Sequence, residues 1–233
     1  MKIVLCILTR NEIDCLNALF HKIPKAGPDS GYDQVVAIDG GSTDGTVEFF
    51  QQQGVEIIGQ SRKGRGEAFR LAFDKLEADA YLFFSPDGNE SIEDLPRFRV
   101  HLEEGADLVI ASRMMEDSVN EEDVLVFKWR KWANNVFNWF VNIIFNRTGV
   151  YITDSINGYR AITANCAERL ALDAPDYTIE YQMTMRALKQ NMKIIEFPTI
   201  EGERVAGETG APSIPTGLRF IRRLFIETFR KNS

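Results

Sequence analysis

The stretch Asp39-Gly40-Gly41-Ser42-Thr43-Asp44-Gly45-Thr46, directly after the apolar run Val35-Val36-Ala37-Ile38, decides the reading of this chain. A buried strand that stops on a carboxylate and turns through two glycines offers that carboxylate to a ligand, because glycine permits the tight backbone that side chains forbid. Thr43 or Asp44 is placed to cap a helix that starts near Thr46. A second run, Tyr81-Leu82-Phe83-Phe84, ends the same way, in Ser85-Pro86-Asp87-Gly88-Asn89. Two strands that each deliver an acid at the carboxyl end describe a ligand crevice in an open α/β sheet.

Outward from these two turns, residues 1–112 alternate between short apolar runs and stretches of helical spacing. The runs Ile3–Leu8, Val35–Ile38, Val55–Ile58, Tyr81–Phe84 and Leu108–Ala111 are rich in β-branched and aromatic residues, while Ala68-Leu71-Ala72-Lys75-Leu76 and Leu95-Phe98-Leu102 repeat as helices do. This alternation predicts an α/β fold, with a mostly parallel central sheet covered by helices on both faces. Strands are also expected at Gly158–Ile162 and Lys193–Phe197, and a helix over Tyr177–Gln190. The acidic stretch Glu116–Asp123 reads as a lid loop. One domain over residues 1–214 is expected, with a change of pattern near residue 113 that divides it into halves 1–113 and 114–214, and an amphipathic helix over 215–233.

Two helices have more apolar surface than a single core contact uses. On Phe127–Phe145 the residues Trp129, Trp132, Val136, Phe137, Trp139, Phe140, Ile143 and Ile144 cover well over half the circumference, and Asn134, Asn135, Asn138 and Asn142 share the rest with Lys131. On the last helix, Leu218, Ile221, Leu224, Phe225 and Phe229 lie opposite Arg219, Arg222, Arg223 and Arg230. That split suits an in-plane membrane-surface helix, and equally a helix packed on its own domain with a solvated basic face.

The net charge of −7 argues against general nucleic-acid binding, which wants a basic surface. Cys6, Cys15 and Cys166 lack metal-ligand spacing and read as buried free thiols of a reducing compartment. The apolar start runs straight into Thr9-Arg10-Asn11-Glu12, too short for a signal peptide, and no apolar run reaches the roughly 20 residues of a membrane span. A cytoplasmic protein, at most peripheral to a membrane, is therefore expected. His21 and His101, both on expected amphipathic helices, read as surface or packing residues.

The two acidic turns also carry a resemblance. Asp39–Thr46 resembles the Asp-Asp-Gly-Ser-x-Asp-Gly-Thr motif of family 2 inverting glycosyltransferases, which have the GT-A fold, and Asp87-Gly88-Asn89 stands where that family carries a metal-binding Asp-x-Asp. Among them the chain is most similar to polyprenyl-phosphate sugar transferases such as dolichol-phosphate mannose synthase. The likeness runs from about Ile3 to about Gly207. It rests also on Thr9–Glu12, Gly64-Arg65-Gly66-Glu67-Ala68, Ala111-Ser112-Arg113, Asp154–Arg160 and Glu203–Gly207.

The resemblance implies a nucleoside diphosphate sugar as donor and Mg²⁺ or Mn²⁺ as cofactor. It places Asn11, Glu12 and Asp39 in the nucleotide pocket, Gly64 and Gly66 at a helix N-terminus near the donor, Arg204 on the diphosphate, and Asp87 with Asn89 on the metal. Three positions depart from the family: Gly40 replaces its second aspartate, Asn89 replaces the last aspartate of Asp-x-Asp, and Thr209-Gly210 stands where Ser-Lys is usual. The acceptor decides the remaining chemistry. A polyprenyl phosphate is already an anion and needs cations, for which Arg113 and Arg130 match the family's arginines. A glycan hydroxyl needs a carboxylate base, for which Asp154 and Glu180 are the candidates. The missing charges also leave open a nucleotide-sugar-binding module without turnover.

Overall fold

The computed structural model describes residues 1–120, 129–206 and 213–230, the side chains of Arg130, Ser213 and Ile214 excepted. Seven strands form one sheet: β1 Ile3–Thr9, β2 Gln34–Asp39, β3 Glu56–Gly59, β4 Ala80–Phe84, β5 Leu108–Ser112, β6 Arg160–Thr163 and β7 Ile194–Pro198, in the order β3-β2-β1-β4-β6-β5-β7. All neighbours are parallel except β6, which runs antiparallel between β4 and β5. The helices are α1 Ile13–Leu19, α2 Thr46–Gln52, α3 Arg65–Lys75, α4 Leu95–Glu103, α5 Trp129–Phe145, α6 Ala164–Leu170, α7 Ile179–Lys189 and α8 Ser213–Phe229.

Side chains alternate across the pleat, so β1 divides its apolar residues between two cores. Val4, Cys6 and Leu8 meet Ala68, Phe69 and Ala72 of α3, Cys166 and Leu170 of α6, and Met183 of α7. Ile3, Leu5 and Ile7 meet Leu16 of α1, Phe50 of α2 and Leu95, Phe98 and Leu102 of α4. Both faces of a largely parallel sheet are thereby covered, as the unbroken apolar runs require. Cys6, Cys15 and Cys166 are free and buried.

A third cluster joins Val141 and Phe145 of α5, Tyr181, Met185 and Leu188 of α7, and Phe220 and Leu224 of α8. The expected boundary at 214/215 falls inside α8, and that helix is pinned to the domain by charge as well as by apolar contact. Glu227, fully buried, accepts from Arg186 Nε at 3.0 Å, Arg186 Nη2 at 2.9 Å and Gln182 Nε2 at 2.7 Å. Arg223 and Arg230 turn back to Asp173, at 3.4 and 2.7 Å, and Gln182, Arg230 and Arg186 hold its carboxyl down at about 2 despite burial. The free basic face of four arginines expected from the sequence is thus corrected. Arg219 and Arg222 remain exposed, while Arg223 and Arg230 belong to the α7–α8 seam.

Two asparagines of α5 face the domain together with Val141 and Phe145: Asn138 Oδ1 accepts from Ser155 N and Oγ, and Asn142 bonds the amide and carbonyl of Ile152 at 2.8 Å each. These amides satisfy an irregular segment, 152–155, that has no strand partner. The exterior is apolar. Trp132 is 71 % exposed, and Trp139, Phe140 and Ile143 also face outward, as do Leu218, Ile221, Phe225 and Phe229 of α8.

Candidate active site

A cleft of about 820 Å³ opens at the carboxyl ends of β1, β2, β3 and β4. Arg10, Asn11 and Glu12 follow β1, Gly40 follows β2, Gln60 follows β3, and Ser85 and Asp87 follow β4; the far wall carries Gly64, Arg65, Tyr177, Arg204 and Arg219. Of the residues expected in the donor site, Asn11, Glu12, Gly64, Asp87 and Arg204 therefore line one cavity.

Asp39, 5 % exposed, is not among the lining residues, although its neighbours Ile38 and Gly40 are. Its Oδ2 accepts from the amides of Gly41 and Ser42 at 2.9 and 3.0 Å, and Oδ1 takes the Ser42 hydroxyl. The turn is locked by its own carboxylate. Asn11, at φ +57°, ties the loop after β1 to it: its Oδ1 accepts from Thr43 N at 2.8 Å, and its N–H donates to Ser42 Oγ at 2.9 Å. Asp44 accepts from Thr46 N at the start of α2, and also from Ile13 N at the start of α1, so one acid serves two helices. At Gly40 a Cβ would stand 3.0 Å from Gln60 Oε1 and 3.3 Å from Arg10 Cβ, so the family's second aspartate would require these two side chains to shift slightly.

The glycines of α3 have a steric task. A Cβ on Gly66 would meet Ala174 O at 1.9 Å, and one on Gly64 would meet Pro175 O at 2.1 Å. The Gly66 N–H already donates to Pro175 O at 3.2 Å and that of Glu67 to Gly64 O. These two amides of the helix N-terminus are therefore already taken, and the glycines let α3 dock on the 174–175 backbone. What this docking delivers is Arg65, paired with buried Glu180 of α7. Burial pulls the guanidinium down, but Glu180 outweighs it and raises its pKa.

At the centre, Asp87 Oδ2 is bound by Arg204 Nη2 at 2.7 Å, and Oδ1 accepts the Asn89 amide at 3.1 Å. The 202–205 segment is bonded to this turn through Val205 N to Asp87 O and Gly202 N to Asn89 O. Asn89 Oδ1 is buried without a hydrogen-bond partner. An orphaned amide oxygen two residues from a carboxylate is the oxygen chemistry a hard divalent cation takes. Among the described residues no group of three His, Cys, Asp or Glu could hold a metal. Asp87 and Asn89 therefore fit Mg²⁺ or Mn²⁺ only in the manner of sites completed by substrate phosphates and water.

Glu90 lies beneath this turn and accepts Ser85 N at 2.7 Å. Burial, with Asp87 beside it, pushes its carboxyl from 4.5 up to about 8. The folded state then binds the proton more tightly than the unfolded chain. This contribution to stability is complete below about pH 4.5 and is lost as pH rises through about 8. Metal-free Glu90→Gln should gain in melting temperature on the wild type between pH 5 and pH 8. A difference that stays constant across that range in calorimetry would rule the burial effect out.

Of the residues expected at the acceptor, Arg113, Asp154 and Glu180 do not line the cleft. Arg113 binds Asp154 through Nε at 2.8 Å and Nη2 at 3.1 Å, and Glu201 through Nη1 at 3.3 Å. Burial lowers the Arg113 pKa, but the two carboxylates outweigh it and raise it. Asp154 is fully buried and also accepts the amides of Arg113 and Asn157. The side chain of Arg130 lies outside the described residues, as do residues 121–123 of the acidic loop and Gly207, Thr209 and Gly210. Arg10, Lys63, Tyr177 and Arg219 line the cleft without having been named as site residues: Arg10 and Lys63 stand next to Asn11 and Gly64, whereas Tyr177 and Arg219 lie far from the motifs.

A crevice at the strand ends that holds Asp87 among arginines has counterparts in known proteins. Residues 4–161 match the pattern of Glycosyl transferase family 2. The chain is a family 2 glycosyltransferase. It is 31 % identical to glycosyltransferase AglJ of Haloferax volcanii over 212 residues, which covers 87 % of this chain and 64 % of that protein. It is 28 % identical to undecaprenyl-phosphate mannosyltransferase of Micrococcus luteus, over 90 % of this chain and 87 % of that one. Its fold superposes on glucosyl-3-phosphoglycerate synthase from Mycobacterium tuberculosis with a TM-score of 0.76 at 18 % identity, over 100 % of this chain and 80 % of that one. That structure was determined with Mn²⁺, uridine diphosphate and phosphoglyceric acid. For this glycosyltransferase the likeness at that identity carries the GT-A-type fold.

Proposed function

We propose that this glycosyltransferase moves a sugar from a nucleoside diphosphate to a polyprenyl phosphate with inversion, using Mg²⁺ or Mn²⁺. The observation that carries the acceptor is the apolar exterior of α5 and α8, two packed helices that leave tryptophans and phenylalanines in solvent beside Arg219 and Arg222. Contiguous exposed apolar surface of this kind marks a partner or a membrane, and a polyprenyl phosphate resides in one. The mannosyltransferase of Micrococcus luteus, named for undecaprenyl phosphate, supports the same reading.

In this reading Asn11, Glu12, Asp39 and Gly64 frame the nucleotide, and Arg204 turns from Asp87 to the diphosphate. Asp87 and Asn89 hold the cation, which when bound acts as a Lewis acid on the leaving diphosphate. A phosphate nucleophile needs no proton removed, which agrees with Asp154 and Glu180 both being held in ion pairs. Transfer to a glycan hydroxyl would require one of them to be released as a base.

The purified protein with UDP- and GDP-sugars and Mn²⁺ should release nucleoside diphosphate only when a prenyl phosphate is added. Saturable donor binding without release would leave a binding module instead. Among the described residues no helix is long and apolar enough to cross a membrane, so membrane contact rests on the α5–α8 exterior. Deleting α8 would strip Glu227 from Arg186 and is a poor test. Leu218→Ser/Phe225→Ser/Phe229→Ser alters only the exposed face and should abolish co-sedimentation with anionic liposomes at low salt while sparing donor binding. Each basic residue near the surface adds about 1 kcal/mol, screened by salt. Wild type left in the supernatant at low salt would refute the membrane contact.

A further inference from the structure

We propose that Arg219 of α8 is the cation that receives the acceptor's phosphate monoester; this rests on the transfer reading above. The inference comes from asking which positive charge in the cleft is still available. Of the other cations lining the cleft, Arg204 is bound to Asp87 and Arg65 to Glu180, while Arg10 and Lys63 follow β1 and β3 beside Asn11 and Gly64, the residues read above as framing the nucleotide; outside the lining, Arg113 is bound to Asp154 and Glu201. On α8 itself, Arg223 and Arg230 are bound to Asp173. Arg219 is held differently. It lines the cleft, its side chain is 54 % exposed, and its ion-pair contact is Nε to Asp176 Oδ2 at 3.8 Å. An ion pair that long and that wet contributes little, so the guanidinium re-partners at small cost. Its planar fork suits two oxygens of a phosphate.

Placement supplies the second reason. The sequence neighbours Leu218 and Ile221, the latter half a turn on, are exposed and apolar. Phe220 and Leu224 anchor the same helix in the α5–α7–α8 cluster. One rigid helix therefore presents an apolar exterior and places a loosely held arginine in the donor cleft. An amphiphile lying on the first would bring an anionic head to the second. The ligand chemistry is a phosphate monoester. The apolar neighbours favour a lipid as its source, and a soluble phosphate is the alternative.

The test measures binding of farnesyl phosphate and of glycerol 3-phosphate by phosphorus NMR, with UDP and GDP affinity determined on the same samples. Wild type is compared with Arg219→Gln, Arg219→Lys and Arg222→Gln, the last an exposed arginine of the same helix outside the cleft lining. Losing a charge-assisted, bidentate contact should weaken farnesyl phosphate binding about tenfold or more. Lysine should restore part of it, with nucleotide affinity unchanged and Arg222→Gln like wild type. Equal loss for both phosphates, with no preference for farnesyl phosphate, keeps Arg219 as the ligand and overturns the lipid source. A fall in nucleotide affinity places Arg219 on the donor and overturns the proposal, as does an unchanged Arg219→Gln or an equal loss in Arg222→Gln. If no prenyl phosphate supports turnover in wild type while Arg219→Gln still loses phosphate binding, the transfer reading fails and the role of Arg219 stands.

Discussion

Asp87→Ala should lower turnover about a thousandfold or more while nucleotide binding without metal stays within a few-fold of wild type. Asp87 is the one carboxylate of its turn that faces the cleft, and Asn89 adds an oxygen without charge. A cation at a leaving diphosphate supplies several kcal/mol of transition-state stabilisation, and about 4 kcal/mol is a factor near a thousand. The turn itself survives the change, because Val205 and Gly202 bond its backbone oxygens and not the carboxylate. Arg204 loses its partner, however, and is free for the diphosphate. The nucleoside diphosphate should therefore bind without metal at least as well as to wild type. Asn89→Asp should act in the opposite sense and tighten Mn²⁺ in a paramagnetic titration. Undiminished turnover in Asp87→Ala, or an unchanged Mn²⁺ titration in Asn89→Asp, would remove the metal from this turn.

The parallel half of the sheet and the cleft's acids were legible because both are local. An apolar run ending in Asp-Gly-Gly or Asp-Gly-Asn states where a strand stops and which side chain it leaves at the edge. The partners of those acids were not legible. Gly64 and Gly66 were expected near the donor, but nothing local shows that they also admit the backbone of Ala174 and Pro175, more than a hundred residues away. β6 was expected as a strand, though nothing local shows that it inserts antiparallel between β4 and β5. Helix α6 was missed: it has seven residues, and its signal is a single cap, Thr163 Oγ1 accepting Cys166 N at 3.2 Å. The surplus apolar surface of α5 was legible, and Trp132 and Trp139 are exposed accordingly. The task of its asparagines was not: helical periodicity shows a polar stripe, but that Asn138 and Asn142 bond the irregular backbone of residues 152–155 depends on chain that periodicity does not see.

Arg113→Ala should destabilise the fold by about 3–5 kcal/mol, the usual cost of leaving a buried charge without its partner. Asp154 has no exposure to water, and two of its hydrogen bonds come from the Arg113 guanidinium. Glu201 shares the same cation, and Glu196, whose carboxyl is raised by burial to about 7, accepts the Thr153 and Asp154 amides close by. Removing the arginine leaves three acids around a dry pocket. At this chain length each kcal/mol moves the melting temperature by about 2–4 °C, so the drop is large enough to read in a simple thermal scan. Adding Asp154→Asn removes the stranded charge, and Arg113→Ala/Asp154→Asn should recover part of the loss, which a double-mutant cycle measures as coupling. This outcome would assign Arg113 to holding the 152–157 segment that α5 also grips, and leave the acceptor phosphate to a cation the fold has not already neutralised. Wild-type stability in Arg113→Ala together with a tenfold rise in KM for prenyl phosphate would reverse that assignment, since a guanidinium dispensable to the fold but needed by the acceptor is a substrate ligand.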